Sequence, residues 1–254
     1  MTKRFRMVAG PNGSGKTTLM RRLAADYAVN FYDILNADDI FAEVCRTNAY
    51  LPPMPVEPDA LCRYAEDSSY PDDVKAFFRS RTISVEDDCV LFHAVPAVNT
   101  YTVALLTNFL QYACIRQGRS FSQETVFSHP SKVDALRLAR ENGYRTYLYF
   151  VSTDCWKINA DRVAERVLQG GHDVPREKIK VRFRRSLDNL SRAFPYLSRA
   201  FFFDNSGDRM RYLAQWNARE GFSIEHDRRL PHWASFMEMS AHGEGDRTIP
   251  GYAH

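Results

Sequence analysis

The chain has 254 residues, and its 34 lysines and arginines exceed its 31 aspartates and glutamates by only three. So small a net charge gives no broad basic surface, which argues against a protein that binds along nucleic acid. With 44% hydrophobic and 26% charged residues, the composition is that of a folded globular protein and excludes a disordered chain.

Targeting features are also missing from the sequence. No apolar run approaches the roughly 18 residues of a membrane span, and the N-terminus does not have the form of a signal peptide. We therefore expect a cytoplasmic protein with no membrane partner. The five cysteines lie at least 17 positions apart, which predicts reduced packing thiols rather than a metal site.

The first predicted elements are a short strand, a glycine-rich loop and a helix. The loop, GPNGSGKT at 10–17, fits the pattern G-x-x-x-x-G-K-[ST]. In such a P-loop, backbone N–H groups surround a phosphate, the lysine reaches the β- and γ-phosphates and the final hydroxyl binds Mg²⁺. The predicted contacts with ATP are Gly10, Asn12, Gly13, Ser14, Gly15, Lys16, Thr17 and Thr18. Thr17 is the predicted Mg²⁺ ligand, and Lys16 is expected to stabilise charge during catalysis as well.

The second predicted strand, in FYDILNADDI, ends in a polar cluster. A carboxylate at the carboxyl end of a buried parallel strand is well placed for chemistry. Asp38 or Asp39 is therefore a candidate general base and substrate contact. The alternative is that this pair caps the helix that follows, IFAEVCRT.

Proline dominates the next part of the chain. Five of the twelve prolines fall between positions 52 and 71, a density that is incompatible with a long helix or a central strand. We interpret 46–97 as a proline-rich insertion in a single domain spanning 1–240, a surface excursion with a short helix near DDVKAFFRS. This insertion is also a hypothetical contact for the substrate.

Strands and helices alternate after the insertion. The predicted order is a helix ending at Gly118, strand SFSQETVFS, helix HPSKVDALRLARENG, strand YRTYLYFVST, helices DCWKINADRVAERVLQGG and PREKIKVRFRRSLDNLSRAF, strand RAFFFDNS, helix DRMRYLAQWNAREG and edge strand FSIEH. Five to six strands alternating with helices predict an α/β fold with a central parallel sheet. The tail, 241–254, is predicted to be mobile.

Three polar residues follow the SFSQETVFS strand. Glu124 is expected at the same edge of the sheet as Lys16 and Asp38, where it would contact substrate or Mg²⁺. Thr125 and His129 are weaker candidates for substrate binding. For His129 the alternative is a hydrogen bond at the start of the next helix.

Four arginines form two helical faces further along the chain. Arg162 and Arg166 are four positions apart, and Arg182 and Arg185 are three apart, so each pair shares a face. Guanidinium groups hold phosphate oxygens in bidentate fashion, and Gly170 with Gly171 offers a joint between the helices. Residues 160–190 are therefore predicted to be a phosphate-clamping lid. The alternative is a pair of solvated faces that form ion pairs with Asp161, Glu165 and Glu177.

The combination favours a small kinase over other P-loop proteins. The sequence has no LSGGQ-like motif and no apolar run ending in an acidic pair. Phosphoryl transfer needs a carboxylate to orient or deprotonate the acceptor hydroxyl, and cations to hold the developing charge. Asp38 and the arginines supply these two requirements.

Taken together, these motifs resemble the zeta-toxin-like family of P-loop kinases. The similarity runs through AGPNGSGKTT, NADDI, SFSQETVFSHPSKVDALRLARENGY, RVAERVLQGGHDVPREKIKVRFRRSLDNL and FFFDNS, over about 2–45 and 98–206. It implies a P-loop kinase fold, ATP and Mg²⁺ as cofactors, and phosphorylation of a sugar hydroxyl of UDP-N-acetylglucosamine. It also implies a small antitoxin as partner.

Residue roles follow from the same resemblance. Asp38 would be the general base and Glu124 would meet the sugar nucleotide. Arg166, Arg182 and Arg185 would clamp phosphate, and Arg162 would contact ATP. Gln123 departs from the family pattern, in which an aromatic residue precedes E-T.

Two alternatives remain open at this stage. One keeps the kinase chemistry with a nucleoside, a dinucleotide or a polynucleotide 5′ end as acceptor, although the weak net charge disfavours the polynucleotide. The other is a nucleotide-gated interaction module without turnover.

Overall fold

The structure is a computed structural model that describes residues 2–80, 82–170, 173–225 and 230–237. The predicted mobile tail, 241–254, lies outside these residues. Within the described ranges, no helix combines the length and the apolar character needed to cross a membrane. None of the five cysteines forms a disulfide there, as the sequence predicts.

Eight α-helices and ten strands form in the described part of the chain. The helices are α1 (Lys16–Tyr27), α2 (Ala37–Thr47), α3 (Pro58–Asp67), α4 (Asp72–Arg79), α5 (Thr100–Gln117), α6 (Ser131–Glu141), α7 (Trp156–Leu168) and α8 (Arg176–Ala193). The strands are β1 (Arg4–Ala9), β2 (Asp33–Leu35), β3 (Ala49–Tyr50), β4 (Ile83–Glu86), β5 (Cys89–Phe92), β6 (Phe121–Thr125), β7 (Arg145–Ser152), β8 (Arg199–Asp204), β9 (Arg211–Asn217) and β10 (Gly221–Ile224).

The main sheet has seven described strands in the order β10-β9-β8-β7-β1-β6-β2. β1 pairs in parallel with β7, and β7 pairs in parallel with β8, whereas β9 and β10 join as antiparallel strands. The mostly parallel sheet with its flanking helices confirms the predicted α/β, P-loop kinase-like fold. The sheet has one strand more than the five to six predicted.

The extra strand corrects one prediction from the sequence. The segment DRMRYLAQWNAREG was predicted to be a helix, but it contains β9, which buries Leu213 and Ala214. A few residues separate this segment from β8, and its backbone pairs with the open edge of that strand. Tertiary pairing therefore overrides the local preference for helix. The predicted edge strand FSIEH is confirmed as β10.

By compactness the chain divides into two units. The first consists of Met1–Tyr32 and Ser122–His254, and the second of Asp33–Phe121. In the first unit, α1 buries Leu19 and Leu23 in a cluster with Val8 and Val151. This apolar cluster fixes the start of α1 relative to β1 and β7, so the P-loop has a rigid base.

The second unit contains the proline-rich segment and has its own core. The predicted short helix is confirmed as α4, and the segment also forms α3 and a small sheet in the order β3-β5-β4. The β4–β5 hairpin was not predicted. Its two-residue turn, Asp87 and Asp88, has positive φ at both positions (47° and 62°), as a type I′ turn requires.

Candidate functional site

The P-loop joins the end of β1 to the start of α1. Gly10 has φ +152°, and a Cβ there would lie 2.0 Å from the carbonyl oxygen of Val151. A Cβ at Gly13 would lie 2.6 Å from the carbonyl oxygen of Asn159. Glycine is therefore required at both positions by the close approach of neighbouring backbone. Because of this the loop can curl tightly, the conformation in which a P-loop surrounds a phosphate.

Polar atoms in the loop support a polar ligand. Ser14 is 0% exposed, and its Oγ has no hydrogen-bond partner among the described residues. Asn12 Oδ1 is buried without a partner in the same part of the structure. Lys16 Nζ donates to the carbonyl oxygen of Pro11 at 3.1 Å, so its charge lies over the loop. Buried polar atoms that lack partners are costly, and phosphate oxygens would supply partners for the Ser14 hydroxyl.

Thr17 and Glu124 meet at the carboxyl edge of the sheet. The Thr17 hydroxyl lies 2.9 Å from one carboxylate oxygen of Glu124 and 3.1 Å from the other. Hydroxyl and carboxylate oxygens are ligands that Mg²⁺ prefers. The donor set fits a magnesium ion next to the P-loop, with Thr17 and Glu124 as the residues that would hold it.

Two further side chains, Asn159 and Asn205, contact the loop, and Arg162 contacts the segment that carries Asn205. Asn159 of α7 donates from Nδ2 to the carbonyl oxygen of Asn12 at 2.5 Å. Asn205, which follows β8, donates from Nδ2 to the carbonyl oxygen of Ser14 at 2.9 Å. Arg162 donates to the carbonyl oxygens of Asn205 and Gly207 at 2.7 and 3.3 Å.

A signal for Asn205 was present in the sequence, because DNS ends a buried strand at the carboxyl edge of the sheet. The element that follows it in the chain is the strand β9. Arg162, predicted to contact ATP, is engaged with backbone in this structure. Thr18 is exposed on the first turn of α1.

The predicted lid consists of α7 and α8. They pack through a small apolar cluster of Ala160, Val163, Val174 and Ile179. Gly170 has φ +85°, and Gly171 lies outside the described residues. The apolar cluster holds α7 and α8 together as a packed helical hairpin.

Polar contacts also cross the hairpin. Asp161, one of the acids considered as a partner of the predicted arginines, pairs instead with Arg176 at 3.0 Å. Arg166 and Arg185 are exposed, and Arg182 is half-buried.

His129 and Thr125 both make local hydrogen bonds. His129 Nδ1 accepts from the backbone N–H of Ser131 at 3.2 Å, at the start of α6. The Thr125 hydroxyl accepts from the N–H of Phe127 at 3.2 Å. Burial, Lys132 and Arg185 lower the pKa of His129 from its ordinary 6.5. The structure thus brings Arg185 near His129, and it favours the neutral imidazole at pH 7.

Asp38 and Asp39 lie in the second unit, in the first turn of α2. The N-cap of that helix is Asn36, whose Oδ1 accepts from the N–H of Asp38 at 3.0 Å. Both aspartates are exposed. The alternative role of helix cap therefore falls to Asn36 and not to this pair.

Solved structures share this fold at low sequence identity. A chain of the AvrRxo1-ORF1:AvrRxo1-ORF2 complex with sulphate ions aligns over 94% of this chain and 64% of its own length, with 17% identity and a TM-score of 0.50. The corresponding complex with ATP gives 14% identity and a TM-score of 0.51, over 100% of this chain and 66% of that one. A chain of the PezAT chromosomal toxin–antitoxin system of Streptococcus pneumoniae gives 12% identity and a TM-score of 0.50, over 96% and 80%. At these identities the likeness shows the fold alone.

Sequence comparisons extend the picture to a family. An uncharacterized protein of Haemophilus influenzae is 30% identical over 74 residues, which cover 29% of this chain and 53% of that protein. The chain thus spans about half the length of this relative and under two thirds of the AvrRxo1 chain with sulphate. An AAA domain family model (AAA_33) matches residues 6–190, nearly three quarters of the chain. This protein therefore belongs to the AAA domain family.

Proposed function

We propose that this protein is an ATP-dependent small-molecule kinase that phosphorylates a sugar hydroxyl of a UDP-sugar, with UDP-N-acetylglucosamine as the first candidate. The observation that carries the proposal is the P-loop together with the Thr17–Glu124 pair. Close backbone contacts require glycine at two positions of the P-loop. The buried Ser14 hydroxyl of the loop has no hydrogen-bond partner among the described residues, and the Thr17 hydroxyl lies beside the Glu124 carboxylate. These are the parts that a nucleoside triphosphate with Mg²⁺ needs.

Charge stabilisation in this scheme comes from the loop and from the α7–α8 hairpin. Lys16 would move from the Pro11 carbonyl oxygen to the β- and γ-phosphate oxygens when ATP binds. Mg²⁺, held by Thr17 and Glu124, would neutralise phosphate charge when bound. Arg166, Arg182 and Arg185 would hold the oxygens of the transferred group, because guanidinium groups bind them in bidentate fashion.

Asp38 is assigned as the general base. Its carboxylate is exposed, and the capping of α2 is performed by Asn36. A carboxylate in this role accepts the proton of the acceptor hydroxyl as its oxygen attacks the γ-phosphorus of ATP and the bond from that phosphorus to ADP breaks. Asp39, Thr125 and His129 are assigned to the binding of the acceptor. A neutral His129 would serve there as a hydrogen-bonding group rather than as a cation.

The choice of acceptor and partner follows the zeta-toxin-like resemblance. The PezAT structure, which shares the fold, is of a toxin–antitoxin system, and this supports a small antitoxin as partner. The AvrRxo1 complex with ATP supports ATP as the phosphate donor. Gln123, only 2% exposed, lies immediately before Glu124 where the family pattern has an aromatic residue. This departure places a polar group beside the proposed acceptor contact, and the competing acceptors are a nucleoside, a dinucleotide or a polynucleotide 5′ end.

The experiment is a mass-spectrometric screen of the protein with ATP, Mg²⁺ and a pool of UDP-sugars, nucleosides and dinucleotides. We expect one phosphate to be added to UDP-N-acetylglucosamine. Asp38→Asn should retain ATP affinity and lower the transfer rate by roughly 10²-fold or more, the scale of general-base assistance. Asp39→Asn is the comparison variant: it removes the neighbouring carboxylate from the same turn and should weaken acceptor binding without lowering the transfer rate at saturating acceptor.

Other results would change the assignment in defined ways. Phosphorylation of another compound would keep the chemistry and replace the acceptor. Near-normal transfer by Asp38→Asn with loss in Asp39→Asn would move the base by one residue. No product beyond a Lys16→Ala control, with ATP binding intact, would reject the kinase in favour of a nucleotide-gated interaction module.

A further inference from the structure

In a phosphate cradle made of backbone N–H groups, the carbonyl oxygens of the loop need hydrogen-bond donors, and glycine has no side chain to supply them. Each peptide that turns its N–H toward the phosphate must send its carbonyl oxygen elsewhere, because a carbonyl oxygen facing a phosphate is repulsive. Buried carbonyl oxygens also need donors. The P-loop therefore needs hydrogen-bond donors from outside the loop.

The structure provides two such donors, both asparagine amides. Asn159 Nδ2 binds the carbonyl oxygen of Asn12 at 2.5 Å, and Asn205 Nδ2 binds that of Ser14 at 2.9 Å. The Pro11 carbonyl oxygen accepts from the N–H of Ser14 at 3.2 Å and from Lys16. The Gly15 carbonyl oxygen accepts from the N–H of Leu19 at 2.9 Å, so four of the five residues between Gly10 and Lys16 have their carbonyl oxygens held by donors.

The Asn159 amide has a fixed orientation. Its side chain is 0% exposed, and its Oδ1 accepts a hydrogen bond from the Thr153 hydroxyl. An amide whose oxygen is occupied in this way presents its NH₂ group to the loop. The α7 backbone also lies against the loop, as the 2.6 Å distance from a Cβ at Gly13 to the Asn159 carbonyl oxygen shows.

Asn205 is anchored on its backbone. Its N–H donates to the carbonyl oxygen of Ser152 at 2.8 Å, and its carbonyl oxygen accepts from Arg162 at 2.7 Å. Its Nδ2 lies 2.5 Å from the position of a Cβ at Gly15. Arg162 and Asn159 both belong to α7, so this helix carries one of the two amides and anchors the backbone of the other asparagine.

We propose that Asn159 and Asn205 are positioning residues that hold the P-loop in its phosphate-binding form before nucleotide arrives, with Thr153 fixing the Asn159 amide and Arg162 anchoring the backbone of Asn205. The inference depends on the proposed function only in that the ligand is a nucleotide phosphate chain. It makes the loop ready to bind, since a preorganised site does not have to order itself on binding.

The test compares ligand affinity with stability in the full-length protein. Asn159→Ala and Asn205→Ala are each expected to weaken ATP binding about tenfold, the scale of one lost hydrogen bond. Inorganic tripolyphosphate, measured by competition with a fluorescent ATP analogue, should weaken by the same factor because it contacts only the phosphate cradle. The matched control is Asn142→Ala, which loses a 2.8 Å bond from Nδ2 to the Leu138 carbonyl oxygen at the end of α6. That control should lower the unfolding temperature without changing either affinity.

Two results would overturn the proposal. One is unchanged ATP affinity in both Asn159→Ala and Asn205→Ala. The other is weaker ATP binding with unchanged binding of tripolyphosphate. If either alanine variant fails to fold, Thr153→Val is the substitute, because it removes only the hydroxyl that orients Asn159; we expect a few-fold loss of both affinities, and no loss would count against the proposal. The assay uses no acceptor, so its failure is distinct from the absence of a phosphorylated product.

Discussion

The P-loop and the proline-rich segment at 46–97 are both ordered, but by different means. The loop is held by glycine conformations and by hydrogen bonds to its backbone carbonyl oxygens. The segment is held by apolar packing, in which Phe78 is 1% exposed and Phe92 is 3% exposed. In the loop, polar groups such as the Ser14 hydroxyl stay available to a ligand. In the segment, the side chains that provide the order are buried against one another and are not available to a ligand.

The prolines illustrate the second case. Pro58 occupies the first turn of α3, where the missing N–H costs nothing, and Pro71 occupies the N-cap position of α4. These two prolines lie at the starts of helices, where they are compatible with a packed core in the segment. A high proline count between elements is therefore compatible with a folded unit.

The largest expected effect is in the proline-rich segment. Phe78→Ala would remove a buried ring that contacts Phe77 at 5.4 Å between centroids, at a cost of about 3–5 kcal/mol in unfolding free energy. Denaturant unfolding would measure this loss, while the dissociation constant of ATP should stay within about twofold. Leu51→Ala, at a site 63% exposed, is the control and should change little. A large loss of ATP affinity in Phe78→Ala would remove the distinction between the two regions.

The next effect concerns the loop itself. Gly10→Ala would place a Cβ 2.0 Å from the Val151 carbonyl oxygen, at a cost of about 3 kcal/mol in stability, and ATP binding would be lost with it. Gly143→Ala is matched to it, with a positive φ of 78° but no atom within 4 Å of the new Cβ. It should cost about 1 kcal/mol and leave ATP binding intact. Equal costs for the two variants would show that backbone conformation, and not close contact, sets the requirement for glycine.

A smaller effect tests the proposed magnesium site. Glu124→Gln keeps a hydrogen-bond acceptor for Thr17 but removes the negative charge, so we expect the Mg²⁺ concentration needed for ATP binding to rise about tenfold. Thr17→Ser keeps the hydroxyl and should behave like the original protein. Titration of ATP affinity against Mg²⁺ measures both variants. An unchanged Mg²⁺ requirement in Glu124→Gln would assign Glu124 to the acceptor alone.

The smallest effect is a dependence on pH. The pKa of His129 is lowered in the folded protein, so as the pH falls through about 6.5 the histidine takes up its proton in the unfolded chain before it does so in the folded protein. Stability should therefore fall as the pH falls through that value, until the folded protein is protonated as well. His129→Gln should flatten this part of the curve of unfolding free energy against pH. The same slope in both proteins would contradict the assigned cause.

The sequence predicted the parts of the fold that depend on local pattern. The P-loop, the helix ending at Gly118, the strands that became β6, β7 and β8, and the two arginine-bearing helices were all identified. Each depends on residues close together in the chain, such as glycine at a tight turn or apolar residues at helical spacing. The fold class followed from their alternation.

Other features depended on partners far away in the chain. The β9 segment is a strand because the edge of β8 is open to pair with it. The β4–β5 hairpin belongs to a folded core that the high proline content of this segment gave no reason to predict. The pairing of Thr17 with Glu124 brings together residues 107 positions apart. The sequence carries no signal for Asn159, and for Asn205 only its place at the end of a strand, because the hydrogen bonds of both amides to the P-loop join distant parts of the chain. The sequence alone thus determined which chemical groups this protein carries, and the tertiary structure decided which of them meet, because backbone pairing and burial act between residues distant in the chain.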